Sequence, residues 1–441
     1  MIKSKELIAE NLTRGTGGEL LLAGVSVCAM AKKYGTPLYL YDEDRIRERC
    51  RTYRYAMGDA FGEGGFQVHY ASKAASFKRI YEIMREENMG IDVVSVGEIY
   101  TAMRAGFDLD RAVFHSNNKT DADIEFAIEN GVGTFVVDGR EELLCIDRIA
   151  KEMGKDGQVR VLLRLTPGID PHTYEAVATG RVDSKFGAAI ATGQAMELTE
   201  LALSLSGVAL QGFHCHIGSM VFDSQVYLDS ASVMLEFVAE VNERHHFMAK
   251  ILDLGGGYGV RYIESQPEID IAENIREVGA HIHAECDRLG IPCPIIAMEP
   301  GRSIVADAAL TVYTVGSVKH IRGYKSYVSV DGGMTDNPRF ALYRSPYTVT
   351  TVEREVGENA FPCSVVGRCC ESGDILQENV MMPEDICRGE LIACLTTGAY
   401  NYSMASNYNR IPRPPVVMLS GGEDYLAVRR ETPADVSALD V

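Results

Sequence analysis

The sequence predicts an α/β fold: a (β/α)8 TIM barrel joined to a second, β-rich (β-barrel-like) domain. Three observations carry this prediction. Short apolar or β-branched runs recur, each followed by Gly, Asn or Asp and then by a helical pattern. Eight such runs fit into about 235 residues, the size of a (β/α)8 barrel and more strands than a doubly wound sheet needs. After about Ser303 the helical patterns stop, and strand-like runs follow one another across Gly, Pro, Asn and Asp.

In chain order, a strand-like stretch at 37–41 and a helical stretch at 43–55 come first. The eight barrel strands are read at 66–71, 91–95, 112–116, 134–138, 159–165, 210–216, 251–254 and 294–299. Amphipathic stretches at 76–87, 96–105, 121–130, 140–151 and 229–244 lie between them. Strands alternating with helices imply crossover connections and therefore a parallel sheet. Beyond the barrel, strands are read at 309–315, 326–330, 348–352 and 415–419. The barrel is expected to occupy 45–304. Residues 1–44 have no place in a barrel that opens near Phe66 with one helix before it. They are expected to complete the second domain with residues 305–441. No repeat or low-complexity tract interrupts this plan.

Composition bounds the function. The 441 residues are 46% apolar and 24% charged, as in an ordinary globular protein. Lys plus Arg is 43 and Asp plus Glu is 62, a formal charge of −19. That sign argues against nucleic acid as the main partner, because phosphate backbones need a basic footprint. No apolar run approaches the roughly 20 residues of a membrane span, and residues 1–10 lack a signal-peptide core. The 11 cysteines are odd in number and scattered, and the adjacent Cys369 and Cys370 are poor partners for each other. A reducing, cytoplasmic location is expected.

A barrel of this kind carries its active site on the loops after its strands. Those loops hold Lys73 after the first strand and His115, Asn117, Asn118 and Lys119 after the third. His214, His216, Gly218 and Ser219 follow the sixth, Gly255, Gly256 and Gly257 the seventh, and Glu299, Gly301 and Arg302 the eighth. The triple-Gly turn is either a plain tight turn or a phosphate cradle. Its place after the seventh strand, with Glu-Pro-Gly-Arg after the eighth, favours the cradle. Lys73 alone reads equally as a solvated loop residue. Combined with a phosphate cradle and the carboxylate of Glu299, it matches what pyridoxal 5'-phosphate requires. A histidine such as His214 is suited to stack on the ring. His214 and His216 also form a His-x-His pair, but His115, His281 and His283 show no spacing that completes a metal site, and no metal is expected.

The motifs Tyr70-Ala-Ser-Lys73, Gly90-Ile-Asp-Val-Val-Ser-Val-Gly-Glu98, His214-Cys-His-Ile-Gly-Ser219, Leu252-Asp-Leu-Gly-Gly-Gly257, Glu299-Pro-Gly-Arg302 and Cys370-Glu-Ser-Gly-Asp374 occur in that order. The chain thereby resembles the fold-type III (alanine racemase-like, ornithine decarboxylase-like) pyridoxal-phosphate decarboxylases. It is most similar to the branch that converts meso-2,6-diaminopimelate to L-lysine and carbon dioxide. The resemblance runs from about Tyr34 to about Val417. It implies that Lys73 is the Schiff-base lysine, that Glu299 faces the pyridine nitrogen and that His214 lies against the ring. It places Ser219, Gly256, Gly257, Gly301 and Arg302 around the phosphate, with Arg302 also near the substrate and Tyr400 at the cofactor and substrate. Arg339 and Tyr343 would bind a substrate carboxylate. Cys370 and Glu371 would come from the partner subunit of a homodimer with shared active sites.

These residue types suit the reaction. A thiol such as Cys370, with a reference pKa of about 8.5, is mostly protonated at neutral pH and can donate a proton to one face of a carbanion. The other ten cysteines read as small buried hydrophobes. Diaminopimelate carries an ammonium and a carboxylate at its far end. Glu371 can pair with the first, and Arg339 with Arg302 can clamp the second in fork geometry. Outside its motif Arg339 would read as a surface ion pair. Departures from the family pattern are Ala75 for the usual Asn, Met220 for Gln, Tyr174 for His and Phe340 for Pro. None removes a catalytic group, but together they can retune the pocket. The alternative is a decarboxylase of another amino acid: D-ornithine, D-lysine, L-ornithine or a carrier-tethered amino acid. A silent binding relative would be expected to lack Lys73 or Cys370, and both are present.

Overall fold

A computed structural model describes residues 7–169 and 184–441. The departure at Tyr174 lies outside the described residues. The chain divides into two compact units, one of Arg49–Gly259 and Glu268–Gly301, the other of Met1–Glu48, Val260–Pro267 and Arg302–Val441.

The first unit is a closed parallel barrel. Its strands are β1 (Phe66–Ala71), β2 (Gly90–Val93), β3 (Ala112–Phe114), β4 (Thr134–Val137), β5 (Val159–Thr166), β6 (Val208–His214), β7 (Ile251–Asp253) and β8 (Ile295–Met298). Each pairs in parallel with the next, and β8 closes on β1 with Ile296 opposite Phe66 and Met298 opposite Val68. The strands read as mainly apolar runs because most of their residues are buried on both faces of the sheet. Val113, Val136 and Leu162 from β3, β4 and β5 meet in one cluster, with Ile251 of β7 against it. The barrel is thus plugged by side chains and is not a pore.

The crossover helices start where the sequence supplies caps. Ser95 accepts from the Glu98 N–H, while the Glu98 carboxylate accepts from Val94 N–H. Thr120 and Asp123 form a reciprocal capping box at the start of Asp121–Glu129. Asp270 caps Ile271–Leu289, which ends on Gly290 at φ +68°. Each cap contributes about 1 kcal/mol by satisfying N–H groups that have no partner within the helix.

In the second unit, Leu38–Asp42 lies between Ala309–Ile321, to which it is antiparallel, and Val416–Ser420, to which it is parallel. The N-terminal segment is therefore a central strand of the β-rich sheet, and all five of its residues are buried. Leu38, Leu40, Leu310, Val312, Val417 and Leu419 form its core with Leu12, Leu20 and Leu22. The strand expected at 309–315 continues to Ile321. Its outer half pairs as an exposed hairpin with Lys325–Val330, and polar residues there hide the strand signal. Further strands stand at Ala360–Val366, Ile375–Pro383, Leu391–Leu395 and Glu423–Val428. Among the described residues no helix is long and apolar enough to cross a membrane.

Candidate active site

In the barrel unit, the predicted residues gather at the carboxyl ends of the strands. Lys73 sits in the single turn Ser72–Ala74 directly after β1. Its charge lowers the pKa of Glu98, Asp92, His214 and His216, although burial is the largest influence on all four. Glu299, one residue past β8, is buried and has both oxygens occupied. His115 Nε2 lies 2.5 Å from Oε1, and His214 Nε2 lies 3.1 Å from Oε2. The two imidazole rings stand 4.9 Å apart, edge to face.

The electrostatics concentrate charge on one oxygen pair. Burial alone would raise the Glu299 pKa, yet the two histidines hold it well below the ordinary carboxylate range. Burial pushes His115 down to about 3 and lowers His214 as well. An anionic carboxylate flanked by two neutral N–H donors is consistent with both directions. Asp92 and Asp253 lie in the same buried region, and burial followed by the Glu299 charge raises both well above the usual range. The negative charge of this region therefore resides on Glu299.

The triple-Gly turn after β7 is packed against its neighbours. A Cβ on Gly256 would lie 2.2 Å from the Glu299 carbonyl oxygen, and one on Gly257, at φ +122°, 2.5 Å from the Gly218 carbonyl oxygen. Side chains are excluded, so backbone N–H groups can approach an anion closely. A Cβ on Gly301 would lie 2.8 Å from the Ala71 Cβ, so this glycine lets the loops after β1 and β8 touch.

The second unit holds a separate cationic cluster. The guanidinium carbons of Arg302 and Arg339 stand 4.7 and 4.9 Å from the Tyr400 ring centre. Arg302 donates to the Tyr262 hydroxyl at 2.8 Å, and Arg339 lies 5.6 Å from the Tyr343 ring. Among the described residues Arg339 makes no ion pair, and its Nε is buried without a partner. Such a guanidinium is matched by a planar anion. Tyr400 holds φ at +68°, a left-handed conformation costing about 1–2 kcal/mol in a non-glycine residue. Strain of this kind clusters at functional sites.

Cys370 and Glu371 occupy an exposed loop of the same unit. Asp374 organises that loop: its buried carboxylate accepts from the Met334 and Cys369 N–H groups at 2.6 and 2.7 Å. The neighbouring thiols differ. Burial, aided by Asp374, pushes Cys369 up to about 12, whereas Cys370 is exposed and its N–H donates to the Asn409 Oδ1.

Three contributors escaped sequence spacing. His115 joins His214 across the barrel, and the ligand-type atoms of His115, His214 and Glu299 lie within 4.8 Å of one another. His281 and His283 are elsewhere, on Ser232 Oγ and the Ala60 carbonyl oxygen. Asp253 accepts from the Gly255 N–H at 2.8 Å and so braces the glycine turn, and Tyr262 holds Arg302. Asp253 lies in a quoted motif and ends a strand, which is the signal that could have found it. Tyr262 has no such signal.

Known proteins resemble this chain along most of its length. Residues 43–306 match the family model described as pyridoxal-dependent decarboxylase, pyridoxal binding domain. Diaminopimelate decarboxylase of Bacillus subtilis (strain 168) is 42% identical over 424 residues, 96% of this chain and 95% of that protein. The Staphylococcus aureus (strain COL) enzyme of the same name is 40% identical over 94% of this chain and 96% of its own length. The crystal structure of M. jannaschii diaminopimelate decarboxylase with L-lysine superposes with a TM-score of 0.91 at 31% identity, covering 99% of this chain and 98% of that one. The residues fit the cofactor in kind: a lysine after β1, a glycine cradle that excludes side chains, and one buried carboxylate held anionic. On sequence, fold and the chemistry of these groups, the chain belongs to the diaminopimelate decarboxylase family of pyridoxal-dependent decarboxylases.

Proposed function

We propose that the protein converts meso-2,6-diaminopimelate to L-lysine and carbon dioxide with pyridoxal 5'-phosphate as cofactor. The observation that carries the substrate assignment is the buried Arg339, unpaired by any carboxylate among the described residues and packed with Arg302 on Tyr400. A substrate with a distal carboxylate satisfies such an arginine, and one lacking it leaves buried donors unpaired.

When bound, the cofactor supplies the sink for the electron pair left as carbon dioxide departs. The chain's residues do the rest. Lys73 would hold the cofactor, Glu299 would keep the proton on the ring nitrogen, and His214, bonded to Glu299, would lie against the ring. Ser219, Gly256, Gly257 and Gly301 receive the phosphate. Arg302, Arg339, Tyr343 and Tyr400 orient the substrate, and Glu371 takes its distal ammonium. The bond from the α-carbon to its carboxylate breaks, and Cys370 donates the proton that replaces it before recovering one from water.

The protein acts as a homodimer in which Cys370 and Glu371 serve the partner's site, and it works in the cytoplasm. Two experiments test this reading. Arg339→Ala should cut kcat/KM on diaminopimelate by about 100-fold or more, while any residual rate on L-ornithine stays unchanged, because only the first substrate loses a bidentate contact. Equal losses on both would refute the assignment. Mixing inactive Lys73→Ala and Cys370→Ala chains should restore about a quarter of wild-type activity, because half the random dimers hold one intact site of two. No rescue after verified exchange would refute the shared site.

A further inference from the structure

We propose that His115 is a positioning residue for Glu299, bracing its carboxylate across the barrel toward the cofactor ring. This rests on the cofactor assignment above and adds a residue that none of the motifs supplies.

The topology makes the brace unusual. Glu299 follows β8, whose sheet neighbours are β7 and β1. Its hydrogen-bond partners come from elsewhere: His115 directly follows β3, and His214 ends β6. The carboxylate therefore ties together three strand ends, none adjacent to another around the barrel. His115 is itself fixed, since its backbone N–H donates to the Val93 carbonyl oxygen at 2.8 Å. Its ring is buried, and Nε2 meets Oε1 at 2.5 Å, a short charge-assisted contact. The 3.1 Å contact from His214 leaves that side weaker, so His115 is the principal anchor.

Each carboxylate oxygen accepts more than one hydrogen bond. With His115 on Oε1 and His214 on Oε2, the plane of the carboxylate is fixed and its remaining lone-pair directions stay available. Without His115, Oε1 is a buried anionic oxygen lacking its strongest donor. Glu299 can then rotate or take up a proton, and either change spoils its contact with a protonated ring.

The test uses full-length protein. Apoprotein is titrated with pyridoxal 5'-phosphate and followed by the cofactor's visible absorbance, with no amino acid present. His115→Phe, which keeps a ring but no N–H, should raise the cofactor dissociation constant about tenfold or more, as expected for loss of one hydrogen bond to a charged group. His115→Gln places an N–H near the Nε2 position and should stay within about threefold of wild type. His115→Asn is one carbon shorter and should bind as poorly as His115→Phe. The Gln and Asn pair keeps the comparison if the Phe chain does not fold. In turnover, His115→Phe should lower kcat with KM held within about twofold. In a Glu299→Gln background, His115→Phe should change cofactor affinity less than about twofold, because the two residues act as one unit.

Wild-type affinity in His115→Phe, equal affinities for the Gln and Asn variants, or full additivity with Glu299→Gln would each overturn the proposal. The titration does not involve diaminopimelate. A wild-type holoprotein that binds cofactor but leaves that substrate untouched would sink the substrate assignment and leave the role of His115 standing.

Discussion

Replacing Gly256 by Ala asks whether the glycine turn is a packed cradle or a replaceable bend. The added Cβ would lie 2.2 Å from the Glu299 carbonyl oxygen and 3.0 Å from its carbon. Ordinary contact needs roughly 3.4 Å or more, so the two segments must separate by about 1 Å. Neither is free to move. Glu299 N–H donates to the Gly255 carbonyl oxygen at 2.9 Å, and Leu254 N–H donates to the Ala297 carbonyl oxygen at 3.0 Å. Overpacking of this kind costs about 1–3 kcal/mol, and one broken backbone hydrogen bond about 1 kcal/mol more. The expected loss is therefore about 2–4 kcal/mol in urea unfolding of the apoprotein. Shifting the Glu299 backbone also moves the carboxylate, so cofactor affinity should fall about tenfold with it. Gly357→Ala is the control, because nothing lies within 4 Å of its Cβ position and it stands outside any helix or strand, and it should stay within about 0.5 kcal/mol. A Gly256→Ala protein with wild-type stability and cofactor affinity would refute the packing argument.

Two further outcomes are expected. Lys119 is fully buried and bonds to Glu142 at 2.5 Å and to the Val136 carbonyl oxygen at 2.8 Å, so Lys119→Met should cost about 3–5 kcal/mol in denaturant unfolding. Lys119→Met with Glu142→Gln should recover most of that, because the Gln oxygen can still accept from the Asp138 N–H that Glu142 now satisfies, and no recovery would contradict the paired-charge explanation. Burial pushes Asp336 up to about 7, while an unfolded Asp titrates near 4. The folded state therefore holds the proton more tightly between pH 4 and 7, and this group's contribution to stability falls as pH rises through that window, by at most about 1.4 kcal/mol per pH unit. The stability difference between wild type and Asp336→Asn should show this slope, and a flat difference would contradict the burial effect.

The barrel was legible because its strands are buried on both faces and end in chemistry-bearing residues. Lys73, His214, Gly256 and Glu299 all sit within a few residues of a strand's carboxyl end. The β-rich domain was only partly legible, because its edge strands, such as Glu423–Val428, are half-exposed and mix polar with apolar residues. The sequence placed His115, His214 and Glu299 on one rim, but their mutual contact was not legible. His115 and Glu299 are 184 residues apart, and only barrel closure brings the end of β3 to the loop after β8. The arginine pair on Tyr400 was found through motif resemblance; neither spacing nor periodicity links positions 302, 339 and 400.

Substrate choice is measured most directly by carbon dioxide release from meso-2,6-diaminopimelate by the purified holoprotein, with L-ornithine as the parallel substrate. Equimolar L-lysine and carbon dioxide are expected from the first, with kcat/KM at least about 100-fold above the second. No release from diaminopimelate by cofactor-loaded protein, or faster release from ornithine, would contradict the substrate assignment.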